Sequence, residues 1–126
     1  MRTKSFRFGP IALTTTLTTN ILNPGTTTGG TNSTGGVYAN LRIELFHIRI
    51  SNKTGSAATF SLWLGATGGN VAGTEFIGTA ISVAANDGKD YYFPSGVPLD
   101  IADFLVGGAG TATALTIEGE GKIGIA

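Results

Sequence analysis

The hydrophobic positions of this 126-residue chain fall in short runs of period two. Phe6 and Phe8 alternate with Ser5 and Arg7 over residues 3–9, a strand pattern closed by Gly9-Pro10. Ile11, Leu13 and Leu17 continue in odd positions among threonines, which fits an extended arm or edge strand over 11–22. From Asn23 to Gly36 no hydrophobic residue occurs, so this stretch is expected to bury nothing and to form a mobile loop or linker. The reading therefore divides the chain into an N-terminal arm or edge strands (1–22), a Gly/Thr-rich flexible loop (23–36) and a body (37–126).

Val37 to Ser51 is the longest predicted strand. Leu41, Ile43 and Leu45 share one face, and then the apolar phase flips to Phe46, Ile48 and Ile50 with His47 and Arg49 opposite. Such a flip predicts a bulge or a change of packing environment. After a turn at Asn52–Ser56, Ala58 to Gly65 alternates Phe60, Leu62 and Leu64 against Thr59, Ser61 and Trp63. These two runs are expected to pair as a hairpin. A Gly-rich loop (66–73), a strand over Thr74–Val83, a turn around Asn86-Asp87-Gly88 and a short aromatic strand at Tyr91–Phe93 follow. Pro94-Ser95-Gly96 then predicts a turn, Val97–Val106 a strand, Gly107–Gly110 a turn and Thr111–Glu118 a strand, with Ile123 and Ile125 beyond it. About eight short strands at regular spacing predict an all-β antiparallel sandwich of jelly-roll kind, in one domain.

Composition sharpens this picture. Charged residues make up 13% of the chain, and eight basic side chains cancel eight acidic ones. No net field favours nucleic acid or an anionic membrane. No apolar run reaches the roughly 18 residues of a spanning helix. Polarity comes from 20 glycines and many threonines, which favour turns and strands. The absence of cysteine excludes disulfides and thiolate chemistry. No apolar segment of a secretory signal follows Met1–Pro10, so synthesis in a cytoplasm is expected.

Candidate chemistry is sparse. His47 is the only histidine, with no second His or Cys to join it on a metal, and it is expected to be structural or to sit at an interface. Asn86-Asp87-Gly88-Lys89-Asp90 lacks the spaced carboxylates of a calcium loop. Glu44, Glu75, Glu118 and Glu120 could pair as carboxylates, but sequence places no two of them together, and Glu118 and Glu120 read as a solvated strand edge. No catalytic residue, metal ligand or cofactor is assigned. Trp63, Tyr91, Tyr92 and Phe93 are the best candidates for a binding surface, with Phe6, Phe8, Ile11, Leu13 and Leu17 of the arm as further contact residues. Trp63 suits a second buried layer, a protein contact or a sugar platform.

Five segments resemble a pattern of small structural proteins of tailed-bacteriophage virions. They are Leu41–Asn52, Thr59–Leu64, Ile81-Ser82-Val83-Ala84-Ala85-Asn86, Gly96–Leu105 and Thr111–Glu118, spanning roughly 37–120. The chain departs from the pattern at Ile101-Ala102-Asp103, where such proteins often carry Ala-Gly-Asp. The resemblance implies a non-enzymatic capsid decoration (cement) protein on the virion surface. Its partner would be the major capsid protein or another virion subunit, and its state a homo-oligomer with a trimer favoured. The alternative it allows is a tail or fibre accessory module that binds host glycans.

Overall fold

The computed structural model of the chain describes residues 2–28, 30–31, 33–66 and 68–125, with backbone alone for Arg2 and Leu41. Among these residues eight strands form: β1 (Arg2–Ala12), β2 (Asn20–Leu22), β3 (Asn40–Asn52), β4 (Ala58–Gly65), β5 (Phe76–Val83), β6 (Gly88–Leu99), β7 (Phe104–Ala109) and β8 (Leu115–Ile125). A first sheet runs β1-β8-β3-β6 and a second runs β2-β7-β4-β5. Only β4 and β5 are consecutive in one sheet; every other connection crosses between the layers. This is the jelly-roll order, and the expected all-β antiparallel sandwich is the fold of the chain.

The core lies between the sheets. Ile43, Leu45, Ile48 and Ile50 of β3 face Phe60 and Leu62 of β4, joined by Leu99, Leu105, Leu115, Ile117 and Ile123, and all are essentially inaccessible. Each such side chain contributes about 1.5–3 kcal/mol of burial free energy. The phase flip in β3 is a bulge: Leu45 faces Gly121 and His47 faces Glu120, leaving Phe46 as the extra residue. Leu41, expected on the face of Ile43, lies outside the described side chains.

The expected hairpin does not form. β3 is hydrogen-bonded to β6 and β8 on its two edges, whereas β4 lies in the other sheet between β5 and β7. The turn after β3 is a corner between layers. It docks on the β5–β6 corner, where Asn52 N–H donates to Asp87 O at 2.7 Å and Asn86 N–H to Thr54 O at 3.1 Å.

Two expected turns lie inside strands. Opposite the single Phe46, β6 inserts the four residues Phe93–Gly96 between Tyr92 and Val97, so Pro94-Ser95-Gly96 is a bulge. An edge strand tolerates prolines in this way. Gly107 and Gly108 are buried within β7. At Gly107 φ is +155°, and a Cβ there would stand 2.2 Å from Ser61 O, so glycine is required by the close approach of β4. The last strand also runs past Glu118, because Gly119 leaves the space that the Phe8 ring fills: a Cβ there would lie 2.3 Å from the ring.

Of the two forms expected for the N-terminal segment, an arm or edge strands, residues 2–22 take the second. β1 pairs with β8 from Arg2↔Ile125 to Ala12↔Thr116, and β2 pairs with β7, so this segment supplies one edge strand to each sheet. Phe8 and Leu13 are consequently 7% and 2% exposed. The stretch 23–36 is not a featureless linker. Pro24–Thr26 is a 3-10 turn with Pro24 buried, Asn40 Nδ2 donates to Pro24 O at 2.5 Å, and Tyr38 N–H donates to Gly30 O at 2.8 Å. The expectation that this stretch buries nothing fails at Pro24, because hydrogen bonds and a proline ring anchor a loop without any larger apolar side chain.

Candidate functional site

Strand register distributes the ionisable side chains unevenly. Across the outer face of the first sheet, Arg7 stands opposite Glu120, Glu120 opposite His47 and His47 opposite Tyr92. The next row places Glu118 beside Arg49 and Arg49 beside Asp90, and on the other side Lys122 lies beside Glu44. With Arg42, which pairs with Glu44, four basic and four acidic residues of the eight of each kind share this one face. By contrast the segments that build the second sheet and its covering loops, 13–23, 58–86 and 104–114, contain a single charged residue, Glu75.

His47 is the centre of the charged face. Its ring stacks on Tyr92 with centroids 4.7 Å apart. Nε2 is 2.7 Å from Asp90 Oδ1 and Nδ1 is 3.8 Å from Glu120 Oε1. Arg49 Nη1 donates to Asp90 Oδ2 at 2.5 Å. The hydrogen bond from His47, and then the positive charge of Arg49, hold the Asp90 carboxyl below its ordinary range, against the opposing effect of its partial desolvation. Among the described residues, His47, Glu118 and Glu120 each offer one ligand atom within 4.8 Å of the others, a cluster that could hold a cation.

The outer face of the second sheet is neutral and layered. Trp63 stands opposite Val106. Both are buried, at 6% and 0% exposure, yet both lie outside the inter-sheet core. Two loops cover them. Trp63 Nε1 donates to Val71 O at 3.0 Å, while residues 14–19 are tied to β7 through Ala109 N–H to Thr14 O and Gly107 N–H to Thr19 O. Leu17 of that loop, 39% exposed, lies over β7, and with Thr15, Thr59, Ala80 and Gly110 it lines a shallow groove. Glu75 accepts from Gly73 N–H at 2.7 Å and Thr79 Oγ1 at 2.5 Å. Those bonds, Thr79 first, lower its pKa. Any stability it lends is present above the ordinary carboxylate range and is lost as pH falls through the lowered value.

The expected contact residues do not gather into one surface. Phe8, Leu13 and Trp63 are buried; Phe6 and Ile11 are half-buried against the core. Tyr91 is half-buried edge-on to Phe60, and burial raises its phenol pKa. Leu17 and Tyr92 are exposed, but they belong to opposite faces. Tyr92 joins the charged face at 69% exposure. Trp63 takes the second-layer role. Sequence reasoning missed Asp90, Glu118 and Glu120 as neighbours of His47. The alternations His47-x-Arg49 and Glu118-x-Glu120 were visible, but alternation does not say which strands are adjacent. Comparison of the chain with protein-family models, curated proteins and solved structures gave no match.

Proposed function

We propose that this chain is a non-enzymatic structural protein of a tailed-phage virion, a capsid decoration protein that packs on the shell through its uncharged second sheet. The observation that carries the reading is the partition of charge. Half of the charged side chains crowd one outer face, while the segments forming the opposite face carry only Glu75. The buried centres of protein interfaces are depleted in charge, and a charge-paired face suits the side turned to solvent. The sequence resemblance over 37–120 supports the same role, and the fold by itself does not decide it. The reading places the protein on the virion surface, as a homo-oligomer with a trimer favoured, against the major capsid protein.

Cryo-electron microscopy of particles carrying the chain tests this. The expected result is density with the groove of Leu17, Thr59 and Ala80 against a neighbouring subunit, and loss of particle binding in Leu17→Asp. Contacts made through the face of His47 and Tyr92 instead, or particles unaffected by Leu17→Asp, would overturn it. One observation favours the alternative of a glycan-binding fibre accessory. The exposed Tyr92 ring, backed by His47 and flanked by Asp90 and Arg49, offers a stacking platform with hydrogen-bonding neighbours. Glycan binding abolished by Tyr92→Ala is the outcome that would select it.

A further inference from the structure

Two adjacent strands assemble a mixed nitrogen and oxygen donor set on the charged face. β3 brings His47, and β8 brings Glu118 and Glu120, two residues apart and so on one side of the strand. Their three ligand atoms lie within 4.8 Å of one another. Around zinc, bonds of about 2.1 Å place ligand atoms about 3.4 Å apart. The His47 Nδ1 to Glu120 Oε1 separation is already 3.8 Å, and Glu120, with 54% of its side chain exposed, has room to close the remainder.

The far side of the imidazole carries a second, separate feature. Asp90, on β6, binds Nε2 at 2.7 Å and is itself held by Arg49. A carboxylate that accepts the proton of one ring nitrogen fixes the tautomer and leaves the other nitrogen's lone pair facing outward, the arrangement by which proteins orient a metal-binding histidine. Stacking on Tyr92 fixes the ring plane. Among the described residues the Glu118 carboxylate makes no hydrogen bond or ion pair, although Arg49 lies beside it across the strands. We propose that His47, Glu118 and Glu120 bind a zinc ion on the outer face of the first sheet, with Asp90 as the positioning residue and water completing the coordination. One imidazole with two carboxylates favours zinc over the all-oxygen sites of calcium and magnesium. Arg7, opposite Glu120, competes for that carboxylate and limits the affinity.

The test uses the untagged chain and zinc chloride. His47 is the only histidine, so its ring gives one set of nuclear magnetic resonance signals. Zinc should shift them saturably with one-to-one stoichiometry. By calorimetry His47→Ala should abolish this binding, and Glu118→Gln and Glu120→Gln should each weaken it more than tenfold. Asp90→Asn should weaken it about tenfold, in the range typical for an orienting partner. Arg7→Gln should tighten it, and Glu75→Gln, in the loop before β5, should leave it unchanged. His47 signals that do not move in millimolar zinc, or affinity retained in Glu120→Gln and in a folded His47→Ala, would overturn the proposal.

Discussion

Asn52 shows how one side chain turns the chain from layer to layer. It is 2% exposed at the end of β3. Its Nδ2 donates to Ser56 O at 2.8 Å and Val83 O at 3.1 Å, and its Oδ1 accepts from Thr54 N–H at 2.9 Å and Thr54 Oγ1 at 2.7 Å. The amide thus satisfies the corner's backbone in place of a ladder. Asn52→Ala leaves buried partners without a bond, a loss of about 2–4 kcal/mol. Urea denaturation should register it as a lower midpoint with an unchanged slope; a midpoint within experimental error of the parent would refute this account of the corner. The same residue explains a misreading. Asn52-Lys53-Thr54-Gly55-Ser56 has the composition of a hairpin turn, and composition does not distinguish a turn that returns within a sheet from one that leaves it. Gly107 misleads in the same way, since a glycine needed for close strand approach looks like a glycine needed for a turn.

At the scale of elements, β1 settles a choice. Its apolar residues sit before a hydrophobic-free stretch, which left an arm and an edge strand both open. Its register with β8 is instead continuous apart from a shift between Phe8 and Ile11, and Phe8 fills the space left by Gly119. Removing residues 1–12 should therefore unfold the domain. The deletion exposes the edge of β8 and empties the site of a buried aromatic ring, a cavity costing about 3–5 kcal/mol by itself. Loss of dispersed amide resonances in the truncated chain is the expected result, and a folded, dispersed spectrum would return β1 to the status of an arm. Periodicity located β4 to the residue and marked the irregularity at Phe46, because both depend on which neighbours along the chain are apolar, but it left a bulge and a change of packing environment both open. Pairing partners were beyond its reach. In β8 the alternation stops being visible at Gly119 and Gly121, although the strand continues.

On the scale of the whole molecule, the two outer faces differ in kind. One is a lattice of alternating charge whose exposed pairs add little stability in water. The other is a neutral layer of Thr, Gly and small apolar groups closed over Trp63 and Val106. Only the sandwich class was legible from the order of apolar runs. The partition of charge was not, because it arises from which strands lie side by side: Glu118 and Glu120 meet His47 and Asp90 only once β8 lies against β3 and β3 against β6.

The position of β8 between β1 and β3 has a consequence for synthesis on the ribosome. β1 and β3 are not paired with each other, so each waits with an unsatisfied backbone edge until the eighth strand has left the exit tunnel. Such long-range closure is slow and exposes strand edges meanwhile. Nascent chains stalled with β8 still inside the tunnel should be degraded readily by protease, and chains stalled with β8 carried out of the tunnel by an appended linker should resist it. Resistance acquired before β8 emerges would mean that the second sheet folds without the first.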